Sequence, residues 1–144
     1  MRSQSQPTFD PTSIPQFSVI AVPYAFPDDP EPLLKRFVVI CHKDNHAFCI
    51  KATSNVFLYR GDPRMLAGCV FYRAKEVPFF ERDTVIQPDN QVAIFHERIK
   101  EYELRKQFAV LGVLPDDFAG RLRAAANNSV RIEPLKKERL LKYL

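Results

Sequence analysis

The sequence has no tryptophan and only 4 glycines, and it contains neither Gly-x-Gly-x-x-Gly nor Gly-x4-Gly-Lys-Ser/Thr. A loop that cradles phosphate with bare backbone needs glycine where the chain approaches closest, so nucleotide binding of the P-loop or dinucleotide kind is not expected. No Gly-x-Ser-x-Gly is present, which removes the serine turn of the α/β-hydrolases. The three cysteines, Cys41, Cys49 and Cys69, are odd in number and lack Cys-x-x-Cys spacing. Each lies in apolar, strand-like sequence, so they are expected to be buried, reduced thiols. There is no secretory signal, and apolar runs such as "FVVI" are far too short to cross a bilayer. With free thiols, this points to a cytoplasmic protein without a membrane segment.

What is present is an ordinary globular composition: 144 residues, 46% hydrophobic and 26% charged. That length suits one domain with a real core, and the 12 phenylalanines make its aromatic packing Phe-led. Lys and Arg exceed Asp and Glu by 21 to 17, giving +4. This permits a nucleic-acid partner without demanding one.

Residues 1–15 are polar and Pro-punctuated and read as a flexible leader. "QFSVIAV" (16–22) predicts a first strand, and Pro23–Leu34, with four prolines, predicts a surface loop. "KRFVVICH" and "AFCIKATS" flank Asp44-Asn45, the signature of a β-hairpin. "RGDP" reads as a plain turn, "GCVFYRA" as a strand, "QPDN" as a turn and "QVAIF" as another strand. "HERIKEYELRKQF", "PDDFAGRLRAAANNS" and "EPLKKERLLKYL" carry helical spacing, with Phe118, Leu122, Ala125 and Ala126 on one face. About six or seven short strands before C-terminal helices predict a mainly β (α+β) fold, a small barrel or half-barrel. The barrel domain spans 16–133, and 134–144 forms a basic amphipathic helix.

His42 and His46 flank Asp44, but in a hairpin turn their spacing fixes no geometry, so solvated turn histidines are expected and no metal or other cofactor. If 37–41 pairs with 48–52, Arg36 comes to lie beside Thr53 and Ser54, with Lys35 adjacent. A guanidinium beside two hydroxyls suits a phosphodiester. On spacing alone the plainer reading is a surface arginine capping a strand end. "FFERDTVI" (79–86) reads as the start of a strand, with Phe80 and Val85 packed and Asp83 or Thr84 fixing the turn.

In order along the chain, "KRFVVI", "CIKATSN", "FFERDTVI", "VAIFHERI", "FAVLGVLPDD" and "RLRAAANNSVRI" resemble the conserved stretches of the MazF/PemK (Kid-like) toxins of type II toxin–antitoxin systems, over about residues 17–132. The resemblance implies an SH3-like β-barrel, a homodimer, an antitoxin partner and metal-independent cleavage of single-stranded RNA. It maps the catalytic arginine and threonine onto Arg36 and Thr53. Lys35, Ser54, Glu31, His42 and His46 become the candidate RNA-contacting groups. The general base and acid stay open among His42, His46 and Glu31. Attack by the ribose 2′-hydroxyl on phosphorus would be helped by charge on Arg36. The second reading is a non-catalytic barrel that binds RNA or a protein partner, with Tyr59, Arg60, Tyr72 and Arg73 as a stacking clamp.

Overall fold

The structure, a computed structural model, describes residues 9–26 and 29–144, with side chains described outside 25–32 and 58. Six antiparallel strands form a single sheet in the order β4-β5-β3-β2-β1-β6. They are β1 (Ser18–Phe26), β2 (Asp29–Lys43), β3 (His46–Thr53), β4 (Val70–Tyr72), β5 (Thr84–Phe95) and β6 (Ala109–Val113). The helices are α1 (Phe57–Arg60), α2 (Pro63–Ala67), α3 (His96–Leu104), α4 (Phe118–Asn128) and α5 (Pro134–Leu141). Among the described residues no helix is long and apolar enough to cross a membrane.

The central stretches of β2 (37–40) and β3 (47–50) are continuously apolar and buried, each covered on both sides. Val38, Ile40, Phe48, Ile50 and Ile86 face α4 and α5, where Phe118, Leu122 and Leu140 are fully buried. Phe37, Val39, Cys49 and Ile94 face the other way, against Ile14 and against Ile99 of α3. Alternation along each strand sends successive side chains to these two cores. Each fully buried large apolar side chain contributes about 1.5–3 kcal/mol.

The sheet curls into a half-barrel with β4 and β6 as its two edges. The segment joining β4 to β5 reaches across to β6, where the Phe79 ring lies against Gly112. A Cβ on Gly112 would come within 2.5 Å of that ring, and its φ of +156° is one that side chains rarely adopt. Glycine at this position therefore lets the connecting segment lie against the far edge.

Several expectations change. The Pro-rich stretch after Val22 is largely strand and not loop: β1 runs to Phe26 and β2 starts at Asp29, pairing Pro23 with Leu34 and Tyr24 with Leu33, while Pro27 and Asp28 lie outside the described residues. Pairing of β1 with β6 stops at Ala21, and that of β2 with β3 begins at Arg36. Beyond those points each strand has an open side, where a proline's missing N–H breaks no ladder. "QPDN" is no turn between strands but a bulge within β5, since Ile50 pairs with Gln91 while Lys51 pairs with Gln87. Tyr59 and Arg60 of the expected clamp lie on the short helix α1, Phe57–Arg60. The Asp62 of "RGDP" caps α2, its carboxylate accepting from the backbone N–H groups of Arg64 and Met65. Part of the expected leader is packed: Asp10 caps a 3-10 turn at Pro11–Ser13, Ile14 is buried, and Phe9 stacks on Phe108. Phe17 follows in a left-handed conformation, φ 66°, its N–H donating to the Val39 carbonyl and its carbonyl accepting from Leu114.

Candidate nucleic-acid interface

The β2–β3 hairpin forms as expected, yet it does not bring Arg36 and Thr53 together. Arg36 pairs with Ala52 and so shares its face with Val38 and Ile50, while Thr53, one residue on, belongs to the opposite face. The Arg36 guanidinium lies 5.3 Å from the Phe80 ring centroid and donates to Thr84 Oγ1 at 3.4 Å. Burial pushes its pKa down. The Thr53 hydroxyl is turned back on its own chain, accepting from the Asn55 N–H at 3.1 Å. Ser54 is exposed beyond the strand end. Lys35 sits on β2 opposite Val22, on the face away from Arg36. The side chain of Glu31 lies outside the described residues.

The histidines are not equivalent turn residues. The His42 ring bonds the Ile14 carbonyl through Nε2 at 2.8 Å and His96 Nε2 through Nδ1 at 2.9 Å. A carbonyl only accepts, so Nε2 of His42 donates, its Nδ1 accepts, and His96 supplies the second N–H. The pair thus ties the N-terminal segment, β2 and α3 together, and His42 is half-buried with both ring nitrogens hydrogen-bonded. Burial first, then His42, His46 and Lys100, push the His96 pKa below its ordinary value, against an opposing pull from Asp10. The fold therefore favours neutral His96. The stability this contributes is complete above the unfolded value of 6.5 and is lost as pH falls below 6.5 through the folded pKa. Thermal melts should show a fall in Tm from pH 7 to about pH 5 that is shallower in His96→Gln. An unchanged slope in the variant would assign the acid sensitivity to other groups.

The expected stacking clamp is also redistributed. Tyr59 is buried with its hydroxyl against the Gln87 amide, Arg60 pairs with Asp83, and Tyr72 is fully buried. No thiol is poised as a nucleophile: burial pushes Cys49 strongly up and Cys69 up to about 12, and Cys41 is also raised by burial. All three are free, with Cys49 buried as expected and Cys41 and Cys69 only half-buried.

A different cluster assembles where the β2–β3 turn meets α5. A groove of about 360 Å³ is lined by Lys43, His46, Phe48, Gln91, Val92, Ala93 and Arg139. The Arg139 guanidinium stacks 5.0 Å from the Phe48 centroid, Phe48 meets Tyr143 edge-on at 6.1 Å, and Lys43 Nζ lies 4.7 Å from the Tyr143 centroid. Lys142 approaches the same Tyr143 ring at 5.8 Å. Gln91 fixes this arrangement: its Oε1 accepts from Arg139 Nε and Nη2, and its Nε2 donates to the Pro88 and Lys136 carbonyls. All four hydrogen-bonding capacities of that amide are used.

Among the described residues Arg60, Arg98, Arg121 and Arg131 each have a carboxylate within 4.0 Å. Among the described residues Lys43 and Arg139 meet neutral partners, aromatic rings and an amide, Lys142 meets the adjoining Tyr143 ring, and no carboxylate lines the groove. Their positive charge is therefore held in place without being offset. Of the sequence-predicted residues whose side chains are described, His46 alone lies here. Arg139 and Lys142 belong to the segment read simply as a basic amphipathic helix, and the available signal was its Lys and Arg residues flanking Tyr143. No protein-family model matches the chain, and no curated protein matches it.

Proposed function

We propose that this protein binds single-stranded RNA through the groove between the β2–β3 turn and α5. The observation that carries the reading is the pair of groove-lining cations held by neutral partners, Lys43 and Arg139, with Lys142 against the adjoining Tyr143 ring and no carboxylate among the described residues that line the groove. Phosphodiesters supply the missing anions, and counterions released from the strand make such binding favourable and salt-dependent. The half-buried Tyr143 ring lies among these cations, as aromatic rings do in single-strand channels, while Phe48 is buried beneath Arg139. The curl and strand count support reading the sheet as an SH3-like half-barrel that presents this groove at one end. Cleavage of the toxin type asks for convergence of Arg36 and Thr53, which stand on opposite faces, so binding without cleavage is the reading carried forward.

Fluorescence anisotropy with a labelled single-stranded RNA tests it. Binding should be saturable, with log K falling by about 0.7 per phosphate contact for each unit of log salt concentration. Absence of binding at low salt overturns the proposal. Running the same incubation on a denaturing gel with chelator separates a binder from a nuclease, since chelator-resistant fragments would restore the cleavage reading.

A further inference from the structure

His46 occupies a special place in the groove. It pairs with Lys43 across the hairpin and lines the same wall as Arg139. Its Nδ1 lies 3.2 Å from Asn45 Oδ1, an oxygen that only accepts. Nδ1 therefore carries the proton, and Nε2 carries a lone pair that no hydrogen bond among the described residues uses. Neutral His46 offers a phosphate oxygen a lone pair, which repels it. Protonated His46 offers an N–H and a third positive charge beside Lys43 and Arg139.

The groups facing this histidine are Lys43 from β2, Arg139 from α5 and, more distantly, His96 from α3, with the Phe95 ring edge-on at 6.3 Å. Lys43 and Arg139 are cationic and His96 becomes so in acid; Asp44 in the same turn and Glu97 in the first turn of α3 are the nearby carboxylates, and neither is among the described residues that line the groove. A phosphodiester in the groove is the group that would make protonation of Nε2 favourable. Binding and proton uptake then become a single linked event.

We propose that RNA binding in this groove takes up a proton at His46, so that affinity for single-stranded RNA rises as pH falls through the histidine range. The inference rests on the RNA reading of the groove. The test measures the affinity of the full chain for a fluorescein-labelled single-stranded RNA at pH 8, 7 and 6, at constant ionic strength. The wild type should tighten by about tenfold from pH 8 to pH 6. His46→Asn should lose that slope, and His96→Gln should keep it. A flat wild-type profile, or a slope that survives in His46→Asn, overturns the proposal while leaving the RNA reading intact. No binding at any of the three pH values overturns both.

Discussion

Replacing Lys43 and Arg139 together by alanine is expected to weaken single-stranded RNA binding by about 100-fold at low salt. Each residue would supply a charge-assisted hydrogen bond to phosphate, worth about 1.5 kcal/mol or more. A factor of ten corresponds to about 1.4 kcal/mol, so two such contacts give the expected loss. Removing two phosphate contacts should also flatten the salt dependence, reducing the slope by about 1.4 on the single-strand scale. The fold should survive, because both side chains reach outward from elements whose buried anchors remain, Ile40 on β2 and Leu140 on α5. Arg139→Lys separates charge from shape: it keeps the positive charge but cannot reproduce the guanidinium's paired bonds to Gln91 Oε1. Its affinity should fall between those of the wild type and the alanine variant. Affinity and salt slope unchanged in the double variant would remove the groove from RNA recognition.

Phe80→Ala carries the largest expected loss of stability. Phe80 is fully buried and sits at the meeting point of three groups: Tyr72 at 5.9 Å, Phe79 at 5.1 Å and the Arg36 guanidinium at 5.3 Å. Truncating a buried phenylalanine costs about 3–5 kcal/mol through lost transfer energy and the cavity left behind. A domain of this size is stable by only about 5–15 kcal/mol, so the variant should lose a large share of its stability. Arg36 aggravates the effect, because burial already disfavours its charge and the variant removes the ring it lies against. Urea titration should show a midpoint well below that of the wild type at an unchanged slope. A loss under about 1 kcal/mol would mean that the connecting segment does not pack as a wedge between β4 and the far edge.

Much of this was readable from residue pattern. The hairpin at Asp44-Asn45, the amphipathic face of α4 and the start of β5 in "FFERDTVI" follow from local chemistry, and all are found. Phe80 and Val85 are buried there. Asp83 accepts from the Ala74 N–H and from Arg60, and Thr84 Oγ1 donates to the Arg82 carbonyl. What escaped was decided by long-range pairing. Prolines spoke against strand at 23–34, but strand pairing that ends early leaves room for them. "QPDN" has the chemistry of a turn, and only the register between β3 and β5 shows that it bulges within one strand.

The candidate site was less legible than the fold. Strand pairing alone suggested that Arg36 neighbours Thr53, but a register offset of one residue places them on opposite faces. The cations of α5 gave no sign of where they would dock. Their partners Phe48 and Gln91 lie far away in sequence, and nothing local links Arg139 to either.

That wide separation governs when the groove comes into being during synthesis. Phe48 and Lys43 emerge early, together with apolar strands whose α4-facing side stays uncovered while later segments are made. Arg139 arrives on the same helix as Leu140, the residue that seals this core. Sealing the core and completing the groove are therefore one step. Chains caught before α5 docks would lack the assembled RNA-binding surface and would instead expose apolar surface of the kind that chaperones hold.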